Sequence, residues 1–210
     1  MKRFSLFLDF DDTLVETRHL VAQYLGKRYG IQLQTEEISD NNGFDQALKK
    51  YGVNIGYNEV YLDFGKNFFP SFDLQEFKLY PGAKEAILHL SEIYNLYIVT
   101  SRQRCEKTHI KNILRHNEIL HCFKEDEIHC VWDWQDDHFV SEPKRNFVEK
   151  KRPEETVTGF IDDSIDEIRC FINTKNVAST VLFDPKRTYN KEAIGFEVFH
   201  DWKTIEKIFS

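Results

Sequence analysis

The residues most able to do chemistry are three carboxylates in the stretch FLDFDDTLVE, residues 7–16. Asp9, Asp11 and Asp12 come directly after an apolar run that is typical of a buried strand. Asp is a common turn residue, so the cluster alone is compatible with a solvated turn. Like charges this close repel each other, and a bound cation would relieve that repulsion. The cluster is therefore a candidate metal site whose other members must come from elsewhere in the chain.

Polar side chains also follow two later apolar runs. Thr100 follows NLYIV, Asp162 and Asp163 follow VTGFI, and Lys144 lies on a predicted helix between these runs. Each signal is weak alone, because Thr and Asp before a helix are usually caps and a lone Lys is usually solvated. Together with the first cluster they would bring four carboxylates, a hydroxyl and an ammonium to one place. Oxygen ligands suit Mg²⁺, and a bound metal would let the site accept an anion, with Lys144 and Thr100 as its other contacts.

The apolar periodicity predicts how these residues meet. Strands are predicted at residues 3–8, 95–99, 157–161, 178–183 and 196–199. Helices are predicted at residues 81–94, 103–116, 141–151 and 164–173. This alternation indicates an α/β fold, a parallel sheet with helices on both faces. Ligands of such sheets bind at the carboxyl ends of the strands, which is where the polar residues stand.

One long segment, residues 14–79, interrupts the alternation. It offers helical patterns at 14–29, about 36–51 and about 57–69, and no convincing strand. The segment is rich in aromatic residues: Phe44, Tyr51, Tyr57, Tyr61, Phe64, Phe68, Phe69 and Phe72. We expect most of these rings to form the core of a small helical bundle. Because the segment leaves the sheet directly after the Asp cluster, it can fold over that site as a cap, with residues 1–13 and 80–210 as the α/β core.

The stretch 117–140 is rich in His and Cys residues. It contains His121, Cys122, His129, Cys130 and His138, together with two Trp residues. Zinc binds such side chains, but the spacings do not match the usual paired ligands. We expect a loop or a short hairpin with buried thiols, and a zinc site is the alternative.

Composition limits the remaining choices. The chain has 210 residues, 41% of them hydrophobic, which indicates one folded domain, or one domain with a sizeable insertion. Its formal net charge of −7 disfavours binding to duplex nucleic acid. No signal-peptide pattern or bilayer-spanning apolar stretch is present in the sequence. With no CxxC pairing among the four cysteines, Cys105, Cys122, Cys130 and Cys170, we expect reduced thiols in a cytoplasmic protein. The oligomeric state stays open.

The order of the motifs resembles that of the haloacid dehalogenase (HAD) superfamily. The series DFDDT at residues 9–13, then Thr100, then Lys144, then Asp162 and Asp163, follows the order of that family's four motifs. The resemblance implies a Rossmann-like parallel sheet with a mobile α-helical cap inserted after the first motif.

The resemblance also implies roles for the first motif. Asp9 would attack phosphorus to form an aspartyl-phosphate, and Asp11 would protonate the leaving alkoxide and then activate water. The dehalogenases that name the family lack the second Asp, so Asp11 favours a phosphate ester as substrate. Many members have Gly where this chain has Asp12, which we interpret as a local change in the loop.

The later motifs would bind the metal and the phosphoryl group. Lys144 would neutralise a phosphoryl oxygen and restrain Asp9, and Thr100 would donate a hydrogen bond to another oxygen. By the same resemblance the Mg²⁺ ligands are Asp9, the backbone carbonyl of Asp11, and Asp163, with Asp162 beside them.

Two other protein classes have similar residues. Receiver domains of two-component signalling also use acidic residues, a Thr and a Lys, but there Thr and Lys follow both acidic groups, whereas here they precede the second. A non-catalytic phospho-ligand binding protein on the same fold would usually have lost a motif residue, and this chain has kept all of them.

The substrate is the least determined feature. LYIVTSR and LFDPKRTYN resemble stretches of the 5'(3')-deoxyribonucleotidases, and cap rings could stack on a base. We therefore expect a small phosphorylated substrate, with a nucleoside monophosphate as one candidate and a sugar phosphate or another metabolite phosphate as the alternatives.

Overall fold

The computed structural model describes residues 4–35, 38, 48–53, 55, 57–135, 138–141, 143–151, 157–171, 177–187, 189 and 197–209. Within these residues seven strands form one sheet in the order β4-β3-β2-β1-β5-β6-β7. The strands are β1 Ser5–Leu8, β2 Asn95–Gln103, β3 Phe123–Gln135, β4 His138–Ser141, β5 Val157–Asp162, β6 Val177–Phe183 and β7 Glu197–Phe199. All neighbouring pairs are parallel except β3 and β4. The predicted α/β fold with a parallel sheet is confirmed.

Helices cover both faces of this sheet. The described α-helices are α1 Arg18–Tyr29, α2 Tyr57–Asp63, α3 Ala83–Ile93, α4 Lys107–His116, α5 Lys144–Lys151, α6 Ile165–Phe171 and α7 Trp202–Phe209. Leu6 and Leu8 of β1 pack into one apolar cluster with residues of α3, α4 and α7. Phe7 packs into a second cluster with residues of α5 and α6. Because successive side chains of a strand point to opposite faces, β1 is buried on both sides, and its carboxyl end is fixed near the middle of the sheet.

Two strand predictions need correction. β2 continues beyond the predicted end at residue 99 to Gln103, because its polar end pairs with β3 as far as Trp132. The stretch 117–140 was predicted as a loop or a short hairpin. It contains the long strand β3, which pairs antiparallel with β4 and parallel with β2. Charged residues and a register shift along β3 hide the alternation that would have predicted it.

The helix boundaries also differ from the prediction. Residues 138–141 belong to β4, so α5 begins at Lys144 and not at residue 141. The predicted helix 103–116 begins with a 3₁₀ turn, Arg104–Glu106, before α4. The C-terminal helix α7 was missed, although the buried Trp202, Ile205 and Phe209 have helical spacing.

The inserted segment is mainly helical where it is described. After α1 and α2 the chain forms a π-helical turn, Phe64–Phe68, and a 3₁₀ turn, Phe69–Ser71. The predicted helix at 36–51 lies largely outside the described residues. Residues 14–17 are not helical: Val15 forms bridges with Asp11 and Leu79, which join the two ends of the segment. The division into core and cap stays a prediction.

No disulfide joins any of the four cysteines, and Cys130 is buried while Cys122 is partly buried. None of the described helices is long and apolar enough to cross a bilayer.

We expect Gly159→Ala to destabilise the protein, because β5 and α7 approach each other closely at this glycine. A Cβ at residue 159 would lie 2.5 Å from Cε1 of the buried Phe209 ring. Overpacking of this kind costs about 1–3 kcal/mol, which thermal unfolding would detect as a lower Tm. Gly26→Ala is the matched control, since its Cβ would make only an ordinary 3.4 Å contact. If Phe209→Leu in the Gly159→Ala background restores none of the loss, the proposed clash is wrong.

Candidate active site

Side-chain directions alternate along the chain after β1, and this alternation brings Asp9 and Asp11 to the same edge of the sheet. The Asp9 N–H donates to the carbonyl of Ile161 at 2.9 Å, so the ladder between β1 and β5 continues through this residue. Phe10 is fully buried in the apolar cluster. Because its two neighbours face the other way, burying one ring places both carboxylates at the carboxyl end of the sheet.

Lys144 connects the first and last motifs. Its Nζ lies 2.9 Å from Asp9 Oδ1 and 2.7 Å from Asp162 Oδ2, and its side chain is 3% exposed. Burial lowers the pKa of Lys144, but the carboxylates of Asp162 and Asp9 more than offset this, so the pKa lies above its usual value. The other oxygen of Asp162 accepts from the Ser164 N–H at 2.8 Å. The ammonium is therefore charged and fixed between two carboxylates.

Asp9, Asp162 and Asp163 form a candidate metal centre. Each offers a carboxylate oxygen, and these oxygens lie within 4.8 Å of one another. Asp9 Oδ1 is buried and accepts no hydrogen bond, because its contact with Lys144 lacks hydrogen-bond geometry. Burial raises the pKa of Asp9 well above its usual value and that of Asp163 to about 7, and the neighbouring carboxylates add to both shifts. An orphaned oxygen in an all-carboxylate cluster fits a hard cation such as Mg²⁺.

Asp11 and Thr100 lie beside this cluster but have a different partner. Arg102 donates from Nε to Asp11 Oδ2 at 2.8 Å and from Nη2 to Asp11 Oδ1 at 2.7 Å. The Thr100 hydroxyl donates weakly to Asp11 Oδ2 at 3.5 Å. The structure thus places all six predicted site residues at one end of the sheet, and it holds the Asp11 side chain in a bidentate ion pair instead of in the carboxylate cluster.

Arg18, the first residue of α1, reaches the site from the inserted segment. Its Nη2 donates to Asp163 Oδ2 at 2.6 Å, and its Nε lies 3.2 Å from Asp12 Oδ2. Asp12 Oδ1 also accepts from the backbone N–H groups of Thr17 and Arg18. The φ of Asp12 is 53°, in the left-handed region that glycine favours and Asp tolerates. Asp in place of the family's common Gly therefore keeps the turn and adds an ion pair at the start of α1.

The two arginines are the site residues that the sequence analysis missed. Arg102 stands two residues after Thr100 on β2, so the period of a strand puts both side chains on the same face, and this signal was available in the sequence. Arg18 follows the first motif by several residues across an irregular turn, and no periodicity predicts its direction.

The zinc alternative gains no support from the described residues. Among them, the grouping able to hold a metal is Asp9, Asp162 and Asp163. Instead, His129 Nε2 lies 3.6 Å from Glu127 Oε2, and the His129 ring packs against the Phe147 ring.

Comparison with known proteins finds one matching family and several solved structures with a similar fold. The sequence model of the haloacid dehalogenase-like hydrolases matches residues 6–178. A predicted phosphoglycolate phosphatase from Haemophilus somnus 129PT is 18% identical over 100% of both chains, with a TM-score of 0.68. The HAD-hydrolase YfnB from Bacillus subtilis, bound to magnesium, is 18% identical over 100% of this chain and 99% of that chain, with a TM-score of 0.64. A predicted phosphatase from Clostridium acetobutylicum is 16% identical over 99% of this chain and 98% of that chain, with a TM-score of 0.67. No match is found among curated proteins.

The family match and the site geometry agree with each other. The matched residues include every motif from Asp9 to Asp163, and the similar structures share the parallel sheet that brings those motifs together. The chain therefore belongs to the haloacid dehalogenase-like hydrolase family.

Proposed function

We propose that the protein is a Mg²⁺-dependent phosphomonoester hydrolase that acts through an aspartyl-phosphate on a small phosphorylated metabolite. One observation carries this proposal: the buried Asp9 carboxylate lies 2.9 Å from the Lys144 ammonium and among the carboxylates of Asp162 and Asp163. A carboxylate placed beside a fixed cation and a candidate metal centre can approach a phosphate dianion that it would otherwise repel.

Asp9 is the proposed nucleophile. A carboxylate oxygen forms a bond to phosphorus while the bond from phosphorus to the ester oxygen breaks, which splits one difficult displacement into two. The Lys144 ammonium restrains Asp9 and neutralises a phosphoryl oxygen. The Thr100 hydroxyl, buried beside Asp11, donates to another phosphoryl oxygen.

Asp11 is the proposed acid and base. It gives a proton to the departing alkoxide, and then takes one from the water that attacks the aspartyl-phosphate. This second attack releases inorganic phosphate and regenerates Asp9. A leaving group that needs a proton distinguishes esters from halides, which is why the second carboxylate favours a phosphatase over a dehalogenase.

Asp9 and Asp163 would hold the metal, with Asp162 beside them and the backbone carbonyl of Asp11 as a further ligand. When bound, Mg²⁺ supplies charge neutralisation for the phosphoryl oxygens. The similar structures support the proposal at the level of the fold: two are described as predicted phosphatases and one as magnesium-bound.

The substrate class rests on the inserted segment. Phe64 is buried against Tyr24 and Phe69, and Phe68 packs edge-on against Tyr24 and Phe72. These two rings belong to the core of the segment, as most of its rings were expected to. The side chains of Phe44, Tyr57 and Tyr61 lie outside the described residues, so stacking on a nucleobase stays a hypothesis for them. A nucleoside monophosphate, a sugar phosphate and another metabolite phosphate remain the candidate substrates, in a protein that we propose to be cytoplasmic.

Asp9→Asn should abolish phosphatase turnover, because an amide has the shape of the carboxylate but not its nucleophilicity. We expect kcat to fall by roughly a thousandfold or more, measured with an aryl phosphate and Mg²⁺. Asp126→Asn, at an exposed position of β3, is the matched control and should keep wild-type turnover. Full activity of purified Asp9→Asn would exclude the covalent mechanism, whereas beryllofluoride bound at Asp9 with Mg²⁺ would support it.

Metal removal should abolish activity, and Asp163→Asn should raise the Mg²⁺ concentration needed for half-maximal rate by about tenfold or more. Ca²⁺ should inhibit, because its larger and looser coordination shell disturbs the in-line geometry. Thermal unfolding gives an independent measurement: Mg²⁺ should raise the Tm of the wild type more than that of Asp163→Asn. Full activity in EDTA would contradict the metal assignment.

Phe68→Ala should lower stability without changing substrate preference, because Phe68 packs within the segment. Each kcal/mol lost lowers the Tm by about 2–4 °C in a chain of this size. Kinetics on a panel of nucleoside monophosphates and sugar phosphates should show kcat/KM changed alike for all. The exposed Phe4→Ala serves as control. A rise of KM for nucleotides alone, with an unchanged Tm, would instead make Phe68 a substrate contact.

A further inference from the structure

Arg102 fixes the orientation of the Asp11 carboxylate. Its Nε and Nη2 donate to the two oxygens of Asp11 at 2.8 and 2.7 Å, in the fork geometry that matches a carboxylate. A carboxylate has about four lone-pair positions, two on each oxygen. Oδ2 also accepts weakly from the Thr100 hydroxyl, so Oδ1 is the Asp11 oxygen that keeps room for a further hydrogen-bond partner. The ion pair therefore sets the direction of this remaining position on Oδ1 without filling it.

The guanidinium of Arg102 is itself held in place by Glu106. Its Nη1 donates to Glu106 Oε1 at 3.0 Å, and Glu106 Oε2 accepts from the Gln103 N–H at 2.8 Å. The side chains of Arg102 and Glu106 are 2% and 1% exposed. A guanidinium anchored at this depth is a rigid support for Asp11, unlike a solvated arginine.

The inserted segment rests on the same guanidinium. The Cζ of Arg102 lies 3.7 Å from the centre of the Phe69 ring and 5.2 Å from that of Phe64, within the range of cation–π contact. Between these rings, Gly65 passes so close to the core that a Cβ there would lie 2.9 Å from Gln103 Nε2 and from the Glu106 carboxylate. Residues 64–69 are therefore packed directly onto the support of Asp11.

We propose, building on the phosphatase function above, that Arg102 is the positioning residue for Asp11 and that it transmits the placement of residues 64–69 to this carboxylate. Arg102 contacts no reacting atom in this scheme. It acts through Asp11, so it serves the two proton-transfer steps and not the attack of Asp9 on phosphorus.

The choice of ester separates this role from a general structural one. An aryl phosphate with a good leaving group loses its phenolate without a proton, whereas an alkyl phosphate needs the proton from Asp11. Loss of Asp11 positioning should therefore lower kcat/KM for alkyl esters and spare it for aryl esters. With the aryl ester, hydrolysis of the aspartyl-phosphate still needs Asp11 as base, so phenolate should appear as a burst followed by slow turnover.

The first test compares Arg102→Met and Arg102→Lys with wild type on both esters. We expect Arg102→Met to lose about tenfold or more in kcat/KM on the alkyl ester and less than about threefold on the aryl ester, with a phenolate burst. Arg102→Lys keeps the charge but not the fork, so it should fall between wild type and Arg102→Met. Arg115→Met, which removes an exposed arginine paired with Asn112, should change neither ester.

The second test addresses the contact with the inserted segment. Phe69→Leu removes the ring that lies on Arg102, and Phe77→Leu removes a neighbouring ring of the same cluster, 4.9 Å from Phe69. Both should lower the Tm. We expect Phe69→Leu to lower the alkyl-to-aryl ratio of kcat/KM by about threefold, and Phe77→Leu to leave this ratio unchanged.

The outcomes distinguish this inference from the function on which it rests. A wild type inert on both esters would overturn the phosphatase proposal. Wild-type activity with equal losses on the two esters in Arg102→Met, or with no loss, would overturn the positioning role alone. If Arg102→Met does not fold, Arg102→Lys decides the same question. If Phe69→Leu and Phe77→Leu give the same ratio, residues 64–69 do not act through Arg102.

Discussion

The repulsion between carboxylates at one end of the sheet is the constraint around which the rest of the site is arranged. Asp9, Asp11, Asp12, Asp162 and Asp163 come together there because β1 and β5 are neighbours and each ends in acidic residues. Desolvation makes such charges costly unless they are paired, and each cation that contacts them comes from a different element: Arg18 from α1, Arg102 from β2 and Lys144 from α5. One role of the helices and the inserted segment is therefore to supply positively charged side chains that compensate these carboxylates.

The ion pairs do not neutralise all of the carboxylates equally. Asp162 has a donor on both oxygens, and Asp11 has the full guanidinium fork of Arg102. Asp9 keeps an oxygen without a hydrogen bond, and burial raises the pKa of both Asp9 and Asp163. These are the two carboxylates that we assign to Mg²⁺, and a cation would favour their ionised forms. Asp162 and Asp11 thus accept hydrogen bonds on both oxygens, whereas the proposed nucleophile, Asp9, keeps one oxygen without a hydrogen bond.

Much of this architecture could be predicted from the sequence. Apolar runs followed by polar residues predicted β1, β5 and the meeting of Asp9 with Asp163, because burial of a strand on both faces leaves a strong local pattern. The same pattern does not predict strands whose buried residues are polar and paired with each other. The end of β2 is polar in sequence yet buried, since Arg102 and Glu106 satisfy each other there. The direction of the Arg18 side chain depends on the turn through Asp12. Hydrophobic periodicity does not predict the positive φ of Asp12.

The inserted segment meets the site at two points with different chemistry. At its start, Arg18 contacts Asp163, a proposed metal ligand. Near its end, Phe64 and Phe69 lie on Arg102, which holds the proposed acid and base, Asp11. The first contact is an ion pair that a metal would weaken by competing for the same carboxylate, and the second is ring packing that charge at the metal centre affects less. A metal ion bound to Asp163 would therefore compete with Arg18 for this carboxylate, while Arg18 keeps its contacts with Asp12 at the start of α1 and residues 64–69 keep their packing on Arg102.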